Sequence, residues 1–247
     1  MGETGGGDAG RKAEWFVPKC GPGALRSFVG LLFLPYTGMV LSFAVLGAIV
    51  APSVDPERLC AIVVIYALGL GIGAHALDAL GSGGIKPWGA VFSRRQLVLI
   101  AAASLICAYA IAIYYMASAV PRLWTVAAAE GFFVFAYNLE WLKGKFHTDG
   151  WFAFSWGFLP VIAGNIMQTN TVSPAACILG VSMALFSLVE IKASRPYKEL
   201  KKRAGAPGAD DSPAIARYEA ILKCVSLGVM LLALGLLVWR LSAGRPG

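Results

Sequence analysis

The sequence predicts an all-α polytopic membrane protein, a bundle of about seven transmembrane helices, and three observations predict it. Of the 247 residues, 57% are hydrophobic and 14% are charged, against about 25% charged in an ordinary soluble domain. With a mean hydropathy of +0.68, this excludes a soluble α/β enzyme and a disordered chain. Seven stretches, approximately 25–51, 57–80, 95–118, 122–143, 150–169, 172–192 and 214–243, are each long and apolar enough to cross about 30 Å of hydrocarbon. The cations are also one-sided. With seven crossings, Arg58, Arg122, Arg240 and Arg245 fall on one side and the other 17 of the 21 Lys and Arg on the opposite one. The positive-inside rule makes the 17-charge side cytoplasmic, with the amino terminus inside and the carboxyl terminus outside.

Residues 1–24 read as a flexible tail. Met1 to Gly10 is glycine-rich and acidic, with no apolar core behind a basic start, so it is not a cleavable signal. Gly6 stands where a myristoylation signal wants Ser or Thr. Trp15 and Phe16 are expected at the membrane interface. From 25 to 243 the chain reads as one membrane domain. Only helices and closed barrels satisfy their backbone in lipid, and no period-two alternation supports a barrel. Pro35 and Pro160 lie inside spans and predict kinks.

The second span ends Gly69-Leu-Gly-Ile-Gly73-Ala-His75-Ala-Leu-Asp78. Gly69 and Gly73 form a GxxxG step, a signal for close helix packing. No strand precedes the glycines, so they are not a dinucleotide fingerprint. His75 and Asp78 are three apart and share a helix face. A charge retained in a membrane helix costs about 2.5–3.5 kcal/mol on insertion scales, which makes such residues functional candidates. The competing reading is a local pair that caps the helix end.

The fourth span carries Glu130 in an apolar run and ends Tyr137-Asn138-Leu-Glu140-Trp-Leu-Lys143. Glu130 has no basic neighbour in sequence, so it is either protonated or met by a polar group of another helix. Glu140 and Lys143 have the i,i+3 spacing of a helical ion pair. A polar loop, Lys145-Phe-His147-Thr-Asp149, follows, and histidine is the side chain suited to proton transfer near neutral pH. At the end of the sixth span Lys192, Arg195 and Lys198 recur at helical spacing, with Pro196 expected to disturb the helix. They read either as a cluster for anionic lipid headgroups or as a phosphate site. Residues 204–213 read as a loop, and Asp211 or Ser212 before Pro213 signals the start of the last helix.

Cys20, Cys60, Cys107, Cys177 and Cys224 are scattered without a CxxC pair, and read as small buried apolar residues. The basic balance is an orientation signal with lipid headgroups as counter-charge, and no nucleic-acid partner is expected.

The order of these parts resembles the UbiA superfamily of intramembrane prenyltransferases. Ala74-His75-Ala-Leu-Asp78-Ala-Leu-Gly-Ser82 is similar in register to the aspartate-rich motif that ends the family's second helix, with Asp78 its one aspartate. Lys86-Pro87-Trp88-Gly-Ala90-Val-Phe-Ser93 resembles the loop that follows it. Tyr137 to Lys143 resembles the Tyr…Lys segment after the fourth helix, and Trp156-Gly157-Phe-Leu-Pro160 with Gly164 resembles the fifth. The likeness spans roughly residues 26–203. The second acidic motif falls on Glu190 to Lys198, which is basic here, and the family's usual nine helices are seven. The resemblance implies a helical bundle with a cytoplasm-facing cavity that transfers a prenyl group from an isoprenoid diphosphate or related lipid. It implies His75, Asp78, Asn138 and Glu140 as catalytic residues, and Tyr137, Lys143, Lys192, Arg195 and Lys198 as substrate-binding ones. In the family magnesium on the two acidic motifs holds the diphosphate. Here Asp78 would remain as its ligand, and the three cations would replace metal charge. The alternatives are a non-catalytic lipid- or partner-binding protein on the same scaffold, and a small-molecule transporter, a class that often shows internal repeats.

Overall fold

The structure, a computed structural model, describes residues 14–81, 92–203 and 212–243. Most of the segment Lys86 to Ser93 and of the loop 204–213 therefore lies outside the described residues. The described chain is helical, with no strand. In order it forms α1 (Gly23–Leu32), α2 (Leu34–Ile49), α3 (Pro56–Gly81), α4 (Arg94–Ser118), α5 (Leu123–Asn138), α6 (Asp149–Thr169), α7 (Pro174–Arg203) and α8 (Ser212–Ala243).

Local chemistry sets the boundaries. Phe33 turns left-handed (φ 44°) between α1 and α2, and Pro35 opens α2 behind it, where the missing N–H is harmless. The two helices meet at 46°. The Asp55 carboxylate accepts from the backbone of Glu57 and Arg58 with Pro56 in the first turn, and Ser93 and Gln96 form a capping box on α4. Thr148 caps α6, and Asn170 at φ 52° ends it. Pro196, expected to disturb α7, is carried inside a continuous helix. Two helices contain π-helical turns, Ala67–Ala74 in α3 and Phe154–Phe158 in α6. Pro160 starts the regular helix after the second of them.

Five helices are long and apolar enough to cross a membrane: α3, α4, α6, α7 and α8. The bent pair α1–α2 makes a sixth if taken as one span. The expected fourth span stops at Asn138, after 16 residues or about 24 Å at 1.5 Å per residue, short of the hydrocarbon thickness. The reason is local: Glu140, Leu142 and Lys143 all have positive φ, so the helix predicted to 143 breaks.

Helix α6 is the central post, with every residue from Leu159 to Gln168 buried. It touches α2 backbone to backbone. A Cβ at Gly47 would fall on the Val161 carbonyl, and one at Gly164 on the Ala44 carbonyl. On its other face α2 packs Met39, Phe43 and Leu46 against Met183, Val229 and Ala233 of α7 and α8. Gly73 meets Leu105 and Ser104 of α4, while Gly69 is in ordinary contact with Ala108, so the GxxxG step packs tightly at one glycine. The outer helices carry large exposed apolar side chains, including Ile106, Ile178 and Leu231. The cysteines belong to this outer surface: Cys20, Cys60, Cys107 and Cys224 are exposed and Cys177 is half-buried. The reading as buried core residues is thus corrected; in a bundle whose outer helices are exposed and apolar, an apolar stretch does not imply an interior position.

The chain alternates between two ends. At one, Gln168 exchanges hydrogen bonds with Asp55 (2.7 and 3.3 Å), Arg122 N–H donates to Asn170 and Tyr115 donates to Glu57. Arg240 donates to the carbonyls of Ala51 and Pro52 there. At the other end Glu14 accepts from Tyr197 (2.9 Å) and pairs with Lys201 (3.0 Å), Lys223 lies over Trp15, and Val17 is buried. The described part of the predicted tail is thus docked on α7 and α8.

Candidate functional site

At the end that holds Glu14 the helices part around a cavity of about 260 Å³. It gathers six of the nine catalytic and substrate-binding residues expected from the sequence: His75 and Asp78 of α3, Tyr137 and Asn138 of α5, and Arg195 and Lys198 of α7. His147, from the loop before α6, joins them.

The π turn of α3 ends at Ala74, directly before His75, and that of α6 carries Trp156. A π turn takes up an extra residue and so re-aims the face of the helix beyond it, an arrangement common at functional sites. His75 and Trp156 face each other with ring centroids 5.5 Å apart. Thr37 gives its hydroxyl proton to the Leu32 carbonyl (2.6 Å), and its oxygen lies 3.4 Å from His75 Nε2. That oxygen is left as an acceptor, so this contact calls for the Nε2–H tautomer.

Tyr36 packs on Phe152 at 5.0 Å and on Trp156 at 5.3 Å, and Tyr137 stacks on His147 at 4.4 Å. The His147 Nδ1–H donates to the Tyr137 carbonyl at 3.0 Å. Asn138 is buried and donates to the Val134 carbonyl one turn back. A Cβ at Gly81 would strike the Asn138 carbonyl, so that glycine lets α3 approach α5 at the cavity.

One face of α7 supplies Glu190, Ile191, Ser194, Arg195 and Lys198, at the i, i+1, i+4, i+5 and i+8 positions of a single helical stripe. Glu190 is 1% exposed and its Oε2 has no hydrogen-bond partner among the described residues. Tyr36 Oη and Ser187 Oγ are likewise buried, and lie beside each other. Toward the open end Arg195 pairs with Asp149 at 2.8 Å, and Lys198 lies over the Phe33 ring at 5.2 Å.

Three predicted residues stand elsewhere. Lys192 does not line the cavity; it is exposed and turned to Asp149 at 3.7 Å, because it sits off the inward stripe of α7. Glu140 and Lys143 are also exposed and outside the cavity, since the backbone reverses at both. No ion pair joins them among the described residues. Sequence reasoning in turn missed Phe33, Tyr36, Phe152 and Glu190 as wall residues. For Glu190 a signal existed, its helical spacing to Ser194 and Lys198; for the aromatic residues none did, since they meet only across helices.

Among the described residues no group of three or more His, Cys, Asp or Glu side chains could hold a metal ion. Two carboxylates line the cavity, Asp78 and Glu190, beside two cations, and residues 82–91 carry no Asp or Glu. Magnesium is usually held by one or two carboxylates together with substrate phosphates; the carboxylates that could serve, Asp78 and Glu190, share the cavity with Arg195 and Lys198.

Glu130 lies apart from this cavity. The Tyr66 hydroxyl donates to its Oε1 at 2.9 Å, so the polar partner sought for it is supplied by α3.

The chain matches no protein-family model, and no curated protein or solved structure is detectably similar to it.

Proposed function

We propose that the protein is an intramembrane enzyme that acts on an isoprenoid diphosphate or a related lipid, in the manner of UbiA-like prenyltransferases. One observation carries the reading: a cavity with cations at its open end and aromatic walls within, at one end of an apolar helical bundle. A diphosphate needs positive charge close by where water is scarce. Arg195 and Lys198 offer charge-assisted hydrogen bonds, Arg195 with the planar fork suited to phosphate. The C1–O bond of the prenyl diphosphate breaks, and the diphosphate leaves with the bonding pair into this cationic pocket. The allylic cation that remains is sheltered by the faces of Tyr36, Phe152 and Trp156. The acceptor attacks C1 and gives up a proton to the His75–Asp78 side, with Tyr137 and Asn138 lining the acceptor's approach. No step is assigned to magnesium.

In this reading α5 and the bent pair α1–α2 also traverse the bilayer, giving seven crossings, and the cavity faces the cytoplasm. The alternation of the chain between two ends supports seven, and the gathering of Lys and Arg at the cavity end supports the orientation.

The test is binding of a non-hydrolysable prenyl diphosphate analogue to the purified protein in lipid nanodiscs, with magnesium and with a chelator. Arg195→Ala and Lys198→Ala are each expected to weaken binding about tenfold or more, as loss of a hydrogen bond to a charged group does, and chelation to change little. Loss on chelation with both variants unaffected would overturn the cationic site. A second reading, a non-catalytic lipid-binding protein, is favoured by the basic segment that stands where an acidic motif is expected. Analogue binding without turnover of any prenyl diphosphate would support it.

A further inference from the structure

The cavity of about 260 Å³ has an inner end whose chemistry the proposed reaction leaves unassigned. Along α7, Glu190 stands five residues before Arg195 and eight before Lys198. At 1.5 Å per residue this sets it about 7.5 and 12 Å farther from the open end along the helix axis. Glu190 lines the cavity and is 1% exposed, and its Oε2 has no hydrogen-bond partner among the described residues. Tyr36 is also in the wall, and Ser187 lies one turn deeper on α7. Their buried hydroxyls lie beside each other, and that of Tyr36 is within electrostatic reach of the Glu190 carboxyl.

Polar groups at the bottom of a pocket walled by the rings of Tyr36, Phe152 and Trp156 are costly to cover with hydrocarbon. A buried polar group left without its partner costs about 1–3 kcal/mol. A methyl group seated on this floor offers none of the hydrogen bonds that water or a hydroxyl offers. A hydroxyl suits either state of the carboxyl, since it donates to a carboxylate and accepts from a carboxylic acid. The reach fits as well. In an allylic diphosphate with a hydroxyl on its fourth carbon, six bonds separate the nearer phosphorus from that oxygen. Extended, they cover about 7 Å, as six backbone bonds do, close to the interval between Arg195 and Glu190. The volume, about 260 Å³, lies just below the usual range of ligand pockets, about 300–1,000 Å³, and suits a diphosphate with a short chain.

We infer that this inner end is a hydroxyl subsite, and that the diphosphate the protein takes is a short allylic one with a hydroxyl at the end remote from its phosphates. The inference rests on the reading of the cavity as a prenyl diphosphate site. Arg195 and Lys198 hold the diphosphate at the opening, the aromatic faces flank the carbon chain, and Glu190 with Tyr36 receives the hydroxyl. Glu190 then sets specificity, because a site built to hydrogen-bond a hydroxyl discriminates strongly against the analogue that lacks it.

The experiment titrates the full chain in lipid nanodiscs with two non-hydrolysable thiolodiphosphates, the dimethylallyl compound and its (E)-4-hydroxy derivative, with empty nanodiscs as the blank. The wild type is expected to bind the hydroxylated compound at least tenfold more tightly. Glu190→Leu should erase that preference and still bind the dimethylallyl compound, since Arg195 and Lys198 are untouched. Glu190→Gln, which keeps a donor and an acceptor, should retain it. Tyr36→Phe, which removes one hydroxyl and keeps the ring, should reduce the preference severalfold and serves should Glu190→Leu fail to fold. Equal binding of the two compounds by the wild type, or a preference undiminished in Glu190→Leu or in Tyr36→Phe, would overturn the hydroxyl subsite and leave the diphosphate reading standing. No binding of either compound above empty nanodiscs would overturn both.

Discussion

Arg195 is held before any ligand arrives. Its guanidinium pairs with Asp149 at 2.8 Å and stands beside the Tyr137 hydroxyl. An anion entering the cavity meets an arginine already pre-set but also a carboxylate that repels it. Replacing Asp149 by Asn keeps the size and removes the charge. Asp149→Asn is therefore expected to tighten binding of the prenyl diphosphate analogue severalfold, measured by titration at low ionic strength, where exposed charges are least screened. Weaker binding would mean that the pairing matters more for positioning than for competition. The same residues mark how far a single chain can be read. His75, Asp78, Arg195 and Lys198 stood out because polar groups in apolar helices are costly and because their spacing put them on common faces. Tyr36 and Phe152 are ordinary aromatics in apolar runs, and their partnership at 5.0 Å spans more than a hundred residues of sequence. Glu140 and Lys143 were misplaced because helical spacing was assumed where the backbone turns left-handed.

Among the elements, the α2–α6 contact is the most exacting. Each helix presents a glycine to a carbonyl of the other, Gly47 to Val161 and Gly164 to Ala44, and Asn165 donates to the Gly47 carbonyl at 3.4 Å. No side chain fits at either glycine without separating the helices. Gly164→Leu is expected to destabilise the bundle by at least about 1–3 kcal/mol, the usual range for overpacking, and Gly228→Leu on α8, where a Cβ meets nothing within 4 Å, by far less. Reversible unfolding in mixed micelles measures both, and equal losses would refute the close approach. Helix positions were legible from apolar length to within a few residues at most ends. The π turns were not, because hydrophobic periodicity does not distinguish an extra residue within a fully apolar run. The break after Asn138 was missed for a related reason: hydropathy continues through Trp141 and Leu142 while the dihedral angles do not.

The whole molecule presents a belt of exposed apolar side chains on α4, α7 and α8, such as Ile106 (68% exposed), Ile178 (71%) and Leu231 (67%), which lipid would cover. Composition made this surface predictable, as it did the all-helical class. The number of crossings was less accessible, since it depends on a 16-residue helix and a 46° bend. The orientation proposed from the charges has a direct check. In a cysteine-free background, Lys145→Cys at the cavity end and Val172→Cys at the opposite end, both exposed, are treated on intact cells with a membrane-impermeant thiol reagent. Only the cysteine at 172 is expected to react. Labelling at 145 alone would invert the topology, and labelling of both would contradict a bundle fixed across the membrane.

The clasp of Arg240 on the Ala51 and Pro52 carbonyls joins positions 189 and 188 residues apart, and the Met39–Phe43–Leu46 face of α2 is completed by Val229 and Ala233 of α8. An early helix thus waits for a late one. Until α8 has been made and inserted, that face of α2 can only be covered by lipid or by a transient neighbour. Closing so long a segment adds little to the equilibrium cost, since loop entropy grows only with the logarithm of length. Its effect falls on the order of assembly, because distant contacts form slowly. For a chain inserted helix by helix, insertion and completion would therefore be separate events, the last helix docking after the others.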